Sequence, residues 1–510
     1  MMAWFQSPGR RARLRPTLSF RPAVESLEDR CLLAGNVLQT NLVSDLPGVA
    51  RFQDPQLVNP WGISESSTSA FWVSDNGTGV STLYNTTGVK QGLVVGIPGP
   101  PAENGPGGAP LRPTDPNGSA GTPTGTVFNI NPAAFVLTPP PGSTGTPGAA
   151  TFLFVTEDGT IVGWKPTVLA TEGVIAVDNS TNPSAAAGAV YKGMAIASNA
   201  TSGPIFAGDT NSHTVLYVAN FRSGQIEVYD TAFQRVTLTG NAFSDPNLPR
   251  GYAPFNVQTL GTKVYVTYAK QDADKEDDVA GPGNGFVDVF NLDGTPAGLT
   301  TADGTVGPRL LSRGALNSPW GLAIAPMSFF DRAGVLLVGN FGNGRINAFD
   351  AATGASLGAL KDPDGEPIAI DGLWALQVGN GGNGGLTDHV YFTAGLDHEQ
   401  HGLFGSLAAA APGSDEGPAE AQMLQAAVDV FQLALTAVVN DINNGVPRAM
   451  LQQDLRTLRT AFVDLVHAEV IFAADTRTDS GGGGHQGTGD ALQDVHDLFD
   501  NLGRFPEGRD

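Results

Sequence analysis

The stretch LDHEQHGLFG, residues 396–405, gathers Asp397, His398, Glu399 and His401 within five positions. In an extended strand Asp397, Glu399 and His401 would face one way, and such side chains can hold zinc or a harder cation. The spacing falls one residue short of His-Glu-x-x-His, so the helical zinc-protease arrangement does not apply. A structural role is the alternative: Glu399 and His401 would hydrogen-bond the bends of an irregular strand pair. Further oxygen donors stand near the ends of apolar strands elsewhere, at Asn59, Glu157, Asp158, Asn220, Asn256, Asn340 and Asp371. If those strands surround one axis, Glu157, Asn220, Asn256, Asn340, Asp371, Glu399 and His401 form a candidate ligand set. The ion would be Ca2+ or another divalent cation, able to polarise a lactone carbonyl. The same residue types also make Asx turns at strand ends, and that alternative stays open. Nucleophilic catalysis has no motif to rest on: the chain has no G-x-S-x-G elbow, Walker A loop or dinucleotide fingerprint.

Whether these donors can meet depends on the strands that carry them. AFWVSDNGTGVSTLYNTTG (70–88), TFLFVTEDGTIVGWKP (151–166), VLYVANFRSGQIEVYDTA (215–232) and VLLVGNFGNGRINAFDAATG (335–354) share one layout. Each has an alternating strand, a short Gly/Asn/Asp turn and a second alternating strand. KVYVTYAKQD (263–272) with GFVDVFNLDG (285–294) is the same unit, stretched by the acidic insertion 272–278. HVYFTAGLDHEQHGLFGSLAA (389–409) is a sixth, altered copy. A further strand precedes each copy, among them NPWGISE (59–65), YKGMAIA (191–197) and SPWGLAIA (318–325). Repeats of roughly 40–65 residues holding about four short strands are the signature of a β-propeller. Pro-Trp-Gly then has a structural task. Pro starts the innermost strand where no ladder N–H is needed, Trp wedges between blades, and Gly allows close approach near the axis. Trp61, Trp320 and Trp374 are the expected inter-blade aromatics. The opening strand NVLQTNLVSDLP (36–47) is expected to pair with the last blade and remove the free sheet edges.

LYVANFRSGQIEVYD resembles the NHL repeat. The ordered set NPWGIS, YKGMAIA, YAPFNVQTL, GPGNGFVDVFNLDG, LNSPWGLAIAP, GNFGNGRINAFD and EQHGLFGSL resembles a family of bacterial exported six-bladed propellers with NHL-like repeats. The resemblance covers about residues 36–408 and implies a fold and an envelope setting, but no reaction. Leu27-Glu28-Asp29-Arg30-Cys31-Leu32-Leu33 is similar to the N-terminal LEPR-x-L-L motif, with Asp29 where the motif has Pro. That similarity implies export. The candidate ion has an architectural parallel in gluconolactonase-type propellers, which hold a divalent ion with Glu, Asn and Asp side chains.

Beyond residue 413 the apolar period changes from two to about three and a half. Leu424, Val428, Phe431, Leu435, Val438 and Ile442 form one seam, and Leu451, Leu455, Leu458, Phe462 and Leu465 form another. NNGVP (443–447) separates them, so an antiparallel helical hairpin is expected. The expected organisation is therefore an export segment without fixed structure over 1–35 and an all-β, six-bladed, NHL-like propeller over 36–410. An α-helical hairpin over 411–478, a Gly-rich linker over 479–489 and a short helix and tail over 490–510 follow.

The formal net charge is −22. A surface that acidic repels phosphate backbones, so nucleic acid is not an expected partner. No run of about 18 or more apolar residues crosses a bilayer. Cys31 is the only cysteine, so no intrachain disulfide forms. Two functional classes remain. One is an exported or cell-surface, non-catalytic binding or scaffold module that takes a protein, small-molecule or carbohydrate ligand at one mouth of the ring, with a helical tail that self-associates or docks. The other is a divalent-metal-dependent hydrolase or lactonase with its ion on the axis.

Overall fold

A computed structural model describes residues 36–100 and 120–410, apart from 185, 200–202, 302, 303 and 305. It also describes Phe431, Val438, Leu458 and Phe462. Segment 1–35, the Gly-rich linker and the terminal helix expected over 490–510 lie outside the described residues. So does the helical hairpin, apart from those four tail positions. They are helical, and the Phe431 and Phe462 rings lie 5.7 Å apart.

The alternating segments form a six-bladed β-propeller. Its innermost strands are Pro60–Ser64, Pro123–Phe128, Tyr191–Ser198, Tyr252–Leu260, Pro319–Ile324 and Leu373–Val378. Each packs against the next, and Leu373–Val378 returns to Pro60–Ser64, which closes the ring. Blades 1, 2, 4 and 5 are four-stranded antiparallel sheets, whereas blade 3 has three strands, ending at Gln225–Tyr229. Blade 6 borrows its outer strand from the start of the chain: Val37–Ser44 pairs antiparallel with His401–Ala409, from Val37 opposite Ala409 to Ser44 opposite Leu403. The ladder hydrogen bonds thus join the two ends of the fold, as its unpaired first strand led one to expect.

Second strands such as Phe71–Asp75, Phe152–Thr156 and Val335–Asn340 are buried along their whole length. A blade has a neighbour on each face, so the strand is apolar on both sides. The core is accordingly distributed, with one hydrophobic cluster at each blade interface. The cluster between blades 6 and 1 extends inward to the axis through Trp61, Phe255, Trp320 and Trp374.

The repeated Pro-Trp-Gly is explained at this level. Pro60 and Pro319 open their innermost strands. A Cβ on Gly62 would lie 2.5 Å from Thr124 O, and one on Gly321 would lie 2.6 Å from Trp374 O. Only glycine lets neighbouring innermost strands approach this closely. The tryptophans between Pro and Gly point to the axis and meet one another there. Trp61 stacks on Trp374 at 3.5 Å and meets Trp320 edge-on at 6.2 Å, and Phe341 covers the other face of Trp374 at 4.0 Å. These rings plug the centre of the propeller.

Candidate functional site

In the register set by Pro-Trp-Gly, the position before the glycine carries Trp61 in blade 1, Thr124 in blade 2, Lys192 in blade 3 and Trp320 in blade 5. Lys192 therefore takes a tryptophan's place in the inner ring. Its side chain is 1% exposed and runs beneath the aromatic plug, with Nζ 5.0 Å from the Trp61 ring centroid and 5.9 Å from that of Phe221. An ammonium so deeply buried needs opposite charge and hydrogen-bond acceptors. Lys192 Nζ pairs with Glu157 Oε1 and lies 3.2 Å from Asp277 Oδ1. Burial alone would lower its pKa, but the charges of Glu157 and Asp277 outweigh that and hold the ammonium above its ordinary range.

The antiparallel turn between second and third strands delivers these acids to the end where the innermost strands begin. Glu157 stands in the Thr156–Thr160 turn of blade 2, and Asp277 lies in the acidic insertion of blade 4. Asn76 of blade 1 donates from Nδ2 to Glu157 Oε2 at 2.9 Å. Asn59, with φ of 45° just before Pro60, donates from Nδ2 to Glu399 Oε2 at 2.7 Å and accepts from Trp374 Nε1 at 3.0 Å. A weaker 3.4 Å contact links Asn59 to Asn76. A continuous polar chain thus runs from Trp374 and Glu399 of blade 6 through blades 1, 2 and 3 to Asp277 of blade 4. Burial pushes the Glu399 carboxyl up to about 7; Glu157 and Asp277 add to that push, while the Asn59 amide and Lys192 act against it.

The extended strand anticipated for residues 397–401 is absent. Asp397, His398 and Glu399 all take left-handed backbone angles, with φ of 49°, 54° and 67°, in a tight turn between two strands. The reason is geometric: the chain must reverse there to start His401–Ala409, and three strained residues make the reversal. Their side chains separate as a result. Glu399 faces Asn59, His401 Nδ1 lies 2.7 Å from Asp45 Oδ2, and the Asp397 backbone N–H donates to Asp371 Oδ2 at 2.9 Å.

Of the seven residues proposed as metal ligands, the structure brings Glu157 and Glu399 to the same polar chain. Asn220 Nδ2 donates to Glu227 Oε1, Asn256 Nδ2 to Trp320 O and Asn340 Nδ2 to Ala315 O. Asp371 and His401 are engaged as just described. Among the described residues, no three His, Cys, Asp or Glu side chains gather in a metal-holding group. The sequence reading passed over Lys192, Asn76 and Asp277. Lys192 did carry a signal, because it is the one charged residue in a slot that Trp fills in blades 1 and 5.

No family model matches the chain. Two uncharacterized proteins of Acanthamoeba polyphaga mimivirus are each 32% identical to it. One aligns over 375 residues, 72% of this chain and 78% of the relative; the other aligns over 372 residues, 72% and 84%. Similar solved structures include the PQQ-bound aldose sugar dehydrogenase of Streptomyces coelicolor, 14% identical, covering 74% of this chain and 98% of that one with a TM-score of 0.37. A streptogramin B lyase is 10% identical and covers 73% and 96%, with a TM-score of 0.30. Likenesses this remote carry nothing about activity.

Proposed function

The chain belongs to the same protein family as the two mimivirus relatives, and from that premise and the chemistry of the Lys192 mouth we propose that it is an exported, non-catalytic binding module. Its ligand is a basic segment of a protein partner. One observation carries this reading: Glu157 and Asp277 pair with a single buried ammonium, Glu399 joins them through Asn59 and Asn76, and the neighbouring insertion adds Asp272, Asp274, Glu276 and Asp278 against one cation, Lys275. Lys192 balances part of that charge, and Arg222 pairs with Glu276. The remainder is an acidic rim that attracts cations and steers a basic partner by its field. Because Lys192 already supplies the positive charge where Glu157 and Asp277 meet, the site favours peptide recognition over the alternative of an axial divalent ion and lactone hydrolysis.

Export rests on the Leu27–Leu33 motif and on the resemblance to exported NHL-like propellers. The two apolar seams of 411–478 suit a helical hairpin that attaches or associates the ring, and among the described residues no helix is long and apolar enough to cross a membrane.

The test is titration of the full chain with octalysine at several salt concentrations. The triple variant Glu157→Gln, Asp277→Asn, Glu399→Gln is expected to weaken binding by about tenfold or more, the equivalent of roughly 1.4 kcal/mol. Neutralising Asp364 and Glu366, exposed acids of blade 5, should change it little. Equal weakening by the triple and the double variant would reduce the acidic mouth to ordinary surface charge. Stoichiometric calcium, lost in Glu157→Gln and Glu399→Gln, would instead favour the divalent-ion alternative.

A further inference from the structure

The acidic insertion of blade 4 crosses to blade 3, where Glu276 pairs with Arg222 and Asp277 with Lys192. Its base is pinned. Gln271 Nε2 donates to Phe221 O at 2.6 Å, Gln271 and Asp278 form a β-bridge, and the Gly281 N–H donates to Asn317 Oδ1 at 2.6 Å. Above that base the chain closes on itself. The Asp272 N–H donates to Asp277 O at 2.9 Å, and Asp272 Oδ1 accepts from the Glu276 N–H at 3.0 Å. Residues 273–277 are exposed. The insertion is thus a compact strap, rooted in blade 4, whose tip grips blade 3 by two carboxylates.

The two grips differ in what release would cost. Asp277 lies 3.2 Å from Lys192 Nζ, an ammonium 1% exposed and shared with Glu157. A buried ion gives up a partner only at high cost. Glu276 meets Arg222 at the surface, with side chains 57% and 18% exposed. Such pairs contribute little, because water and salt screen them. Arg222 also donates from Nη1 to Gly188 O at 3.0 Å, so its guanidinium keeps an acceptor when Glu276 leaves. Lys192–Asp277 is therefore the anchor, and Arg222–Glu276 is the releasable contact. Glu276 is also one of the acids offered to a basic ligand, and Arg222 already occupies it. A ligand cation that replaces Arg222 there exchanges one exposed ion pair for another and uncovers no buried charge.

We propose that the 272–278 strap is an autoinhibitory latch in which Arg222 stands in for a ligand cation at Glu276, and that a basic segment binds by displacing it. The displacement rests on the reading of the acidic mouth as the ligand site; the latch itself does not.

Two measurements on the full chain test this. The first needs no ligand: cleavage by endoproteinase Lys-C after Lys275, at the exposed tip of the strap, is followed by peptide mass. Arg222→Gln and Glu276→Gln each break the latch and should accelerate that cleavage about fivefold or more. Cleavage after Lys165 of blade 2 should not change, which excludes general unfolding. The second is an octalysine titration arranged as a double-mutant cycle. Glu276→Gln should alter affinity less than about twofold in the unmodified chain, where Arg222 holds that carboxylate, and should weaken it about fivefold in Arg222→Gln. Arg222→Gln alone should tighten binding about fivefold, and Lys275→Gln, which removes the same charge without touching the latch, less than about twofold. Unchanged Lys275 cleavage in both latch variants overturns the proposal, whatever octalysine does. An equal effect of Glu276→Gln in both backgrounds overturns the displacement, because a diffuse field would then explain the binding. Accelerated cleavage with no octalysine bound to any variant supports the latch and rejects the basic-ligand reading of the mouth.

Discussion

At the Lys192 mouth the central charges have partners: the ammonium meets Glu157 and Asp277, and Glu399 meets Asn59. At the other mouth, beyond the aromatic plug, Glu65 Oε2, Thr259 Oγ1 and Trp320 Nε1 meet none. Both ends are built from the same six innermost strands. The first end is internally neutralised and turns its surplus acid outward. The second keeps three buried polar atoms without a partner in the protein.

The largest expected effect tests the paired end. Lys192→Met leaves Glu157 and Asp277 gathered without their cation and should cost about 3–5 kcal/mol in denaturant unfolding. Adding Glu157→Gln to that variant should recover part of the loss. If Lys192→Met is neutral alone, the charges at this mouth are not coupled and the contrast fails.

The next change strikes the strand carrying Lys192. A Cβ on Gly193 would lie 2.1 Å from Asn256 Oδ1 and 2.6 Å from Asn256 Cα, a backbone clash that side-chain rotation cannot relieve. Gly193→Ala should destabilise by about 1–3 kcal/mol, read as a lower thermal midpoint, and should perturb both mouths together.

Proton linkage sharpens the comparison at the unpaired end. The Glu65 pKa is raised from 4.5 to about 8 on folding, so between those values the folded state holds more protons than the unfolded one. Stability contributed by neutral Glu65 is present below about pH 4.5 and is lost as pH rises to about 8. Glu65→Gln removes that dependence. Above pH 8 the variant should be more stable than the unmodified chain by up to about 5 kcal/mol, and the two should converge in acid. Unfolding curves across pH 4–9 decide this. Parallel curves would show that Glu65 is hydrated in the folded chain.

The smallest effect lies at the plug between the mouths. Trp374→Phe removes the indole donor to Asn59 and one ring of the stack, and should cost about 1–2 kcal/mol. It should also loosen Glu399, visible as a shift in that carboxyl's titration by NMR. An unchanged Glu399 would sever the plug from the acidic mouth.

Much of this architecture was legible along the chain. Six recurrences of strand, turn and strand, each preceded by a further strand, point to six similar sheets, because period-two alternation marks half-buried strands rather than helices. Pro-Trp-Gly marked the innermost strands, and the unpaired Val37–Ser44 segment marked the closure. Glu157 and Glu399 were recognisable as inward acids. Residues 397–401 misled because their composition fits a strand, while the reversal between blade strands demands left-handed backbone there. Lys192 was visible as an oddity in YKGMAIA, but nothing local names its partners, which lie 35 and 85 positions away.

The sequence by itself determined the repeat, the faces of its strands and the glycines that let those strands crowd the axis, because these follow from nearest-neighbour sterics and alternation. The tertiary structure alone decided which polar groups are paired. Hydrogen bonding and charge act over a few ångströms, and only closure of the ring brings Asp277 of blade 4 to Lys192 of blade 3 while leaving Trp320 of blade 5 without an acceptor.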